Sequence, residues 1–116
     1  MEHDLIFHFV KPSELKLRTE NGVYSPESLE REGFIHCSTG AQINETANRL
    51  YKNDENILLL IIDTKRVESD IKFEKDEELN QKFPHIYGSL NTIAILDKIP
   101  LSKKEGEKLE IDFFSD

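Results

Sequence analysis

The sequence predicts an α+β fold, a small sheet of mixed or antiparallel strands with two or three short helices. Two observations lead to this class: helix signals lie mainly in the first half of the chain and strand signals in the second, and no β-α-β unit repeats. The chain has 116 residues, the usual size of one domain, so we expect a single domain over residues 1–116.

The chain opens with a predicted strand and a short predicted helix. Residues 5–10 form an apolar run that Pro12 closes, which is typical of a strand. Residues 12–18 are predicted to form a short helix, and Asn21 with Gly22 gives a strong turn signal that ends it.

A second helix and a second strand are predicted next. Ser25 supplies an N-cap and Pro26 a first helical residue, while Gly33 is the residue type that most often follows a helix. Residues 34–38 follow this helix and are predicted to form a short second strand.

A capping box and an apolar stripe predict the third helix. Thr39 and Gln42 have the Thr-x-x-Gln spacing in which side chain and backbone cap each other. The apolar residues that follow fall at i, i+4, i+7 and i+8, which is one face of an amphipathic helix: Ile43, Ala47, Leu50 and Tyr51.

The second half of the chain is rich in strand signals. Residues 56–63 are apolar on both faces, as in a central strand, and residues 70–75 alternate, as in a half-buried strand. Residues 83–88 contain a proline and end in a glycine, so we predict a loop there. Further strands are predicted at residues 92–99 and, on a sheet edge, at residues 109–113.

Composition argues against several classes of function. Acidic residues outnumber basic ones 23 to 15 and the net charge is −8, so a nucleic-acid partner is not expected, although a small anionic ligand is compatible. The longest apolar run, residues 57–62, is far shorter than the roughly 20 residues of a membrane span. A single cysteine, Cys37, and an acidic start without a signal peptide predict a cytoplasmic protein.

Polar side chains stand out at two places in the first half of the chain. His8 shares a strand face with Ile6 and Val10, which is compatible with a hydrogen-bonded core histidine, the favoured interpretation, or with a ligand contact. His36 and Ser38 share a face of a strand that leads into a helix N-terminus, and there ligand binding and a merely structural role are equally good interpretations.

Two further candidate places lie in the second half. His85 and Tyr87 fall in the predicted loop, where they are candidates for ligand binding or for a plug over the core. Glu74 is a carboxylate on the polar face of its strand. Cys37 points away from its neighbour His36, so we expect a buried thiol rather than a Cys-His catalytic pair.

Several segments resemble a bacterial family known as domain of unknown function 952. The resemblance rests on residues 24–29 (Tyr-Ser-Pro-Glu-Ser-Leu), residues 32–38 (Glu-Gly-Phe-Ile-His-Cys-Ser) and residues 83–90 (Phe-Pro-His-Ile-Tyr-Gly-Ser-Leu), with Ile-Phe-His at residues 6–8. The matches run through nearly the full length of the chain. They imply an ADP-ribosyltransferase-like fold, a small split sheet whose cleft binds NAD in active members. The order of segments also resembles the tRNA 2′-phosphotransferases.

The resemblance also implies roles for the candidate residues. His8 would hold an adenosine ribose, His36 would line the cleft, and Tyr87 or His85 would contact the nicotinamide end of the dinucleotide. Glu74, with His36, would be catalytic and would stabilise the charge that develops as the glycosidic bond breaks. The resemblance thus implies NAD as a substrate, with no resident cofactor firmly implied.

Three functions are therefore expected in order. The first is binding of a NAD-like nucleotide, with cleavage or transfer of ADP-ribose as the enzymatic version. The second is a non-catalytic binding module for another metabolite or a protein, which Phe9 and Val10 favour because they replace the Gly-Thr of the phosphotransferases, whose arginines also lack a match. The third is a metal-assisted hydrolase that uses three histidines, for which the sequence offers no ligand spacing.

Overall fold

The computed structural model describes residues 3–50 and 56–102, which form three α-helices and nine strands. In chain order these are β1 (Leu5–Val10), α1 (Pro12–Leu17), β2 (Thr19–Glu20), β3 (Val23–Tyr24), α2 (Glu27–Glu32), β4 (Ile35–His36), α3 (Ile43–Leu50), β5 (Asn56–Asp63), β6 (Asp70–Asp76), β7 (Gln81–Tyr87), β8 (Leu90–Asn91) and β9 (Ile95–Ser102). Single 3-10 turns lie at Gly40–Gln42, Thr64–Arg66 and Thr92–Ala94.

The strands form three sheets of three strands each. The long sheet has the order β1-β5-β9, the hairpin sheet β2-β3-β8, and the site sheet β4-β7-β6. Every pairing between described strands is antiparallel, so the mixed pairing that the sequence left open does not occur among them. The predicted class, a small α+β fold with few helices, is confirmed.

The long sheet and the site sheet meet at one bridge. The amide of Phe7 in β1 donates to the carbonyl of Ser38 at 2.9 Å, and the amide of Ser38 donates back to the carbonyl of Phe7 at 2.8 Å. Within the described residues β1 and the segment after β4 pair at this point only, so the two strands separate on either side of it. This separation creates the space in which the candidate site lies.

Two apolar clusters pack on opposite faces of the long sheet. Because successive side chains of a strand point to opposite faces, Ile6 of β1 joins one cluster and Phe7 the other. The first cluster includes Ile35 and Ile86 of the site sheet, and the second includes Ile43 of α3. The long sheet is therefore the central layer, with the site sheet on one side and α3 on the other.

The predicted strands at residues 5–10, 56–63 and 70–75 are confirmed as β1, β5 and β6. β5 lies between β1 and β9, and both Leu59 and Leu60 are fully buried on its two faces, which explains why it is apolar throughout. No helix within residues 3–50 and 56–102 is long and apolar enough to span a bilayer.

The helix ends agree with most of the predicted signals. Gly33 has the left-handed φ of 89° expected of a helix C-cap, and Thr39 with Gln42 forms the predicted capping box, here on the 3-10 turn that leads into α3. The N-cap prediction for Ser25 is wrong by one residue, since Pro26 occupies that position and α2 begins at Glu27. On α3 the end of the apolar stripe differs from expectation, because Leu50 is 56% exposed.

The predicted loop at residues 83–88 is wrong, because most of it belongs to β7, the central strand of the site sheet. Pro84 is tolerated there because it faces Cys37 immediately beyond the two-residue strand β4. The Pro84 carbonyl accepts a hydrogen bond from the Cys37 amide at 3.0 Å. Proline has no amide hydrogen to donate back to the Cys37 carbonyl, so the ladder between β4 and β7 ends at that point.

The strand predicted at residues 92–99 begins later than expected. Residues 92–94 form a 3-10 turn, and β9 runs from Ile95 to Ser102. Likewise the turn signal at Asn21 and Gly22 closes a hairpin between β2 and β3, so two residues of strand separate it from α1. The predicted edge strand at residues 109–113 and Tyr51 of the predicted stripe lie outside the described residues.

Candidate functional site

A cavity of about 390 Å³ lies between β1, the residues around β4, and α3. Its apolar wall includes four phenylalanines, with Cys37 and Leu50 beside them: Phe7, Phe9, Phe34 and Phe83. Four of the predicted ligand-binding residues line the same cavity: His8, His36, Ser38 and His85. Aromatic side chains with a few polar groups among them are typical of a small-molecule site, and the volume falls in the usual range.

His8 is held on both ring nitrogens by the protein. Its Nδ1 donates to the carbonyl oxygen of His36 at 2.6 Å, and because that oxygen only accepts, Nδ1 must carry the proton. Its Nε2 then accepts from the hydroxyl of Tyr24 at 2.7 Å. Burial, with only 8% of the residue exposed, lowers the pKa of His8 to about 4, so the ring is neutral near pH 7. His8 therefore presents ring edge rather than a free nitrogen to the cavity.

Ser38 is also engaged within the protein. Its Oγ donates to Oγ1 of Thr46 on α3 at 2.9 Å, and both residues are buried where they line the cavity. This contact links the bridge between the two sheets to α3. The serine oxygen keeps acceptor capacity toward a ligand.

His36 lies at the open side of the cavity, paired with a carboxylate. Its Nε2 hydrogen-bonds to Glu32, the last residue of α2, and its side chain is 53% exposed. The hydrogen bond from His36 lowers the pKa of Glu32 below its ordinary value. Since Gly33 ends α2 immediately after Glu32, the helix end brings this carboxylate to β4.

Glu74, His85 and Tyr87 form a hydrogen-bonded chain on the site sheet. Oε1 of Glu74 accepts from Nδ1 of His85 at 2.9 Å and from the hydroxyl of Tyr87. These two bonds lower the pKa of Glu74, and the bond to Glu74 raises the pKa of Tyr87. The ammonium of Lys72 lies 4.8 Å from the centre of the Tyr87 ring. Glu74 and Tyr87 are thus connected to the cavity through His85, which lines it.

The strand register explains why these side chains meet. His36 of β4 lies opposite His85 of β7, and His85 lies opposite Lys72 of β6. The centres of the His36 and His85 rings are 5.4 Å apart, and Phe34 stacks on His85 with ring centres 4.1 Å apart and planes 18° apart. One face of the site sheet therefore gathers two histidines, each bonded to a different carboxylate.

Sequence reasoning missed the cationic side chains of the cavity. Arg49 of α3 and Lys75 of β6 both line it, and the guanidinium of Arg49 lies 5.8 Å from the centre of the Phe83 ring. Arg49 lies between Ala47 and Leu50 but off the apolar stripe of its helix. An arginine at such a position usually indicates only a solvated face, so no local signal distinguished it. Two cationic residues, Arg49 and Lys75, and one acidic residue, Asp76, thus line the cavity of a chain with net charge −8.

Cys37 behaves as the sequence predicts. The residue is 5% exposed, packs in the apolar cluster on the far side of β4 from His36, and burial raises the pKa of its thiol well above the ordinary value. For the third function, residues 3–50 and 56–102 hold no group of three or more His, Cys, Asp or Glu side chains arranged to bind a metal ion.

The fold and the cavity together define a small α+β protein with a ligand-sized cavity between two antiparallel sheets. The chain belongs to the family described as "Protein of unknown function (DUF952)", whose sequence profile matches residues 9–98. The predicted family resemblance is thereby confirmed. Among curated proteins, none matches the chain significantly.

Solved structures of one bacterial protein resemble this fold. The crystal structure of protein CC0527 from Caulobacter crescentus is 26% identical, with a TM-score of 0.74 over 84% of this chain and 86% of that chain. The solution NMR structure of CC0527 is 25% identical, with a TM-score of 0.69 over 85% of each chain.

Proposed function

We propose that the chain binds a NAD-like nucleotide in the cavity beside β1 and β4, in an ADP-ribosyltransferase-like arrangement of the two sheets. The observation that supports this most is the composition of the cavity, which combines four phenylalanines with Arg49 and Lys75. Aromatic rings stack on nucleobases or on a nicotinamide, and cationic side chains bind phosphate oxygens. A nucleotide carries both kinds of group.

The enzymatic version of this proposal is cleavage of the nicotinamide-ribose bond, with release or transfer of ADP-ribose. His36 and Glu74 are the candidate catalytic residues. Both lie on the same face of the site sheet, where His36 lines the cavity and Glu74 is joined to it through His85. Glu74 has a lowered pKa and is ionised near pH 7, as a group that stabilises developing positive charge must be. NAD is then a substrate rather than a resident cofactor.

A second candidate is a binding module without catalysis, and His8 favours it. Its ring nitrogens are both bonded within the protein, to the His36 carbonyl and to Tyr24, so neither is free to hold a ribose hydroxyl. In this version the same cavity recognises a different anionic metabolite, and no bond is broken.

The midpoint of thermal unfolding, measured at increasing concentrations of NAD, tests the proposal. Ligand at about 100 times its dissociation constant stabilises the folded state by about 2.7 kcal/mol, which raises the midpoint by roughly 10 °C in a domain of this size. We expect a saturable rise with NAD and with ADP-ribose. The variant Arg49→Gln should weaken binding about tenfold or more, because a charge-assisted hydrogen bond is lost.

Arg66→Gln is the matched control, since it makes the same change of charge at a residue outside the cavity lining that pairs with Asp63. It should bind NAD as the unmodified protein does. A flat midpoint at millimolar NAD and ADP-ribose would exclude this class of ligand and leave the second candidate. Equal losses in both arginine variants would place the nucleotide elsewhere.

A further inference from the structure

We propose that His85 is the general base of the reaction and that Glu74 acts through it as a positioning residue. The inference rests on the proposed function, and it changes the role expected for Glu74 from the sequence. It also names the acceptor class: a water molecule or the hydroxyl group of a small molecule.

The proton of His85 is fixed by its partner. Oε1 of Glu74 lies 2.9 Å from Nδ1, and an ionised carboxylate can only accept a hydrogen bond. Nδ1 therefore carries the proton, and in the neutral ring the lone pair resides on Nε2. A carboxylate behind an imidazole also stabilises the imidazolium that forms when the ring takes up a proton.

The ring is held from three sides. The Tyr87 hydroxyl donates to the same oxygen of Glu74, so the carboxylate cannot turn freely. Phe34 stacks on one face of the imidazole, and His36 lies edge-on to it at 72°. The His85 side chain is only 14% exposed, whereas a flexible surface histidine would be largely solvated. A base held in one orientation does not need to be ordered when the substrate binds.

Nε2 of His85 has no partner among residues 3–50 and 56–102, and His85 lines the cavity while Glu74 does not. We infer that the edge of the ring away from Glu74, which carries Nε2, faces the cavity. A nucleophile between Nε2 and a bound nucleotide would meet the lone pair directly. The requirement for a general base, a free acceptor within reach of the proton to be removed, is satisfied at this nitrogen.

The other two cavity histidines are less suited to this role. Both nitrogens of His8 are bonded within the protein. His36 has one nitrogen without a partner in the part of the chain that the structure describes, but its side chain is 53% exposed. Its carboxylate partner lies at the end of α2 rather than in a hydrogen-bonded chain. His85 alone among them combines a fixed proton with a largely buried ring.

Cleavage of the nicotinamide-ribose bond requires one general base and no general acid. Nε2 of His85 removes the proton of the acceptor O–H as the oxygen forms a bond to C1′ of the nicotinamide ribose. The bond from C1′ to the nicotinamide nitrogen breaks, and its electron pair neutralises the positive pyridinium ring, so the leaving group requires no proton. The products are nicotinamide and ADP-ribose, or its glycoside with the acceptor, and the imidazolium of His85 returns its proton to water.

The test measures nicotinamide release from NAD in water and in water with methanol as acceptor, alongside the NAD-induced rise in unfolding midpoint. His85→Gln should retain the midpoint rise and lose release by roughly a hundredfold or more, the usual contribution of a general base. Glu74→Gln should lower kcat about tenfold or more with little change in KM, since the substrate does not touch Glu74. Glu78→Gln is the matched control, because Glu78 is an exposed carboxylate that takes no part in the hydrogen bonds among Glu74, His85 and Tyr87. This variant should behave as the unmodified protein.

A second readout does not depend on activity. The ¹⁵N shifts of the neutral His85 ring should show the proton on Nδ1 in the unmodified protein and a mixture of tautomers in Glu74→Gln. A proton on Nε2 would overturn the assignment, and so would release by His85→Gln at the unmodified rate. NAD binding without release would overturn the inference and leave the proposed binding intact. Absence of any NAD-induced rise would remove the proposed function, and this inference with it.

Discussion

Replacing Leu60 with alanine is expected to lower the free energy of unfolding by about 2–5 kcal/mol. Leu60 is fully buried on β5, the central strand of the long sheet, and its side chain belongs to the cluster shared with the site sheet. The substitution removes buried methyl groups and leaves a space that a rigid sheet cannot close. Urea unfolding followed by circular dichroism measures the change.

Leu96→Ala is the matched control for this prediction. Leu96 belongs to the same sheet, on β9, and is 51% exposed, so its removal should change the free energy of unfolding by no more than about 0.5 kcal/mol. Similar losses in the two variants would contradict the assignment of β5 as the central buried strand.

Acid is expected to destabilise the fold through His8, by about 3 kcal/mol between pH 6.5 and 4. The pKa of His8 is lowered from 6.5 to about 4, chiefly because burial disfavours its charged form. Below pH 6.5 the unfolded chain takes up a proton at this residue that the folded chain does not. This stability is therefore fully present above pH 6.5 and is lost as the pH falls to 4.

Other groups act in the same direction at lower pH. Glu32 and Glu74 also have lowered pKa values, each because of hydrogen bonds to its carboxylate, so protonating them costs stability as well.

The groups that face His8 are the His36 ring, the His36 carbonyl and the Tyr24 hydroxyl. Unfolding free energies measured across this range should fall less steeply in His8→Gln. Direct titration of His8 by NMR provides a second measurement, and a midpoint near 6.5 would contradict the buried, doubly bonded ring.

Much of the fold could be predicted because it depends on local patterns. The continuous apolar run of β5 indicates a strand buried on both faces, and the alternation of β6 indicates a strand buried on one face. Both predicted strands are confirmed. The same reasoning failed at β7, since a proline within a strand usually excludes a central position. Pro84 avoids that rule only because β4 is two residues long, and the length of a partner strand is not encoded near the proline.

The sequence identified several residues of the candidate site but not how they are arranged in space. His8, His36, Ser38 and His85 are conspicuous polar residues in apolar segments, and the structure places all four around one cavity. Their geometry depends on the antiparallel register of β4, β7 and β6, which joins positions far apart in sequence.

Arg49, Glu32 and Phe34 could not be assigned to the site from the sequence, because their roles also depend on contacts between distant segments. Arg49 and Glu32 are ordinary charged residues on helices in the sequence, and only packing brings one to the cavity and the other to His36. Phe34 likewise reads as a core residue, although it stacks on His85 at the cavity.

Amide chemical-shift mapping with ADP-ribose tests the central claim, that a nucleotide binds in the cavity, most directly. We expect saturable shifts concentrated at residues 7–9, 34–38, 46–50, 75–76 and 83–85, with the hairpin sheet and β9 largely unaffected. Shifts confined to the hairpin sheet, or no shifts at millimolar ligand, would contradict it.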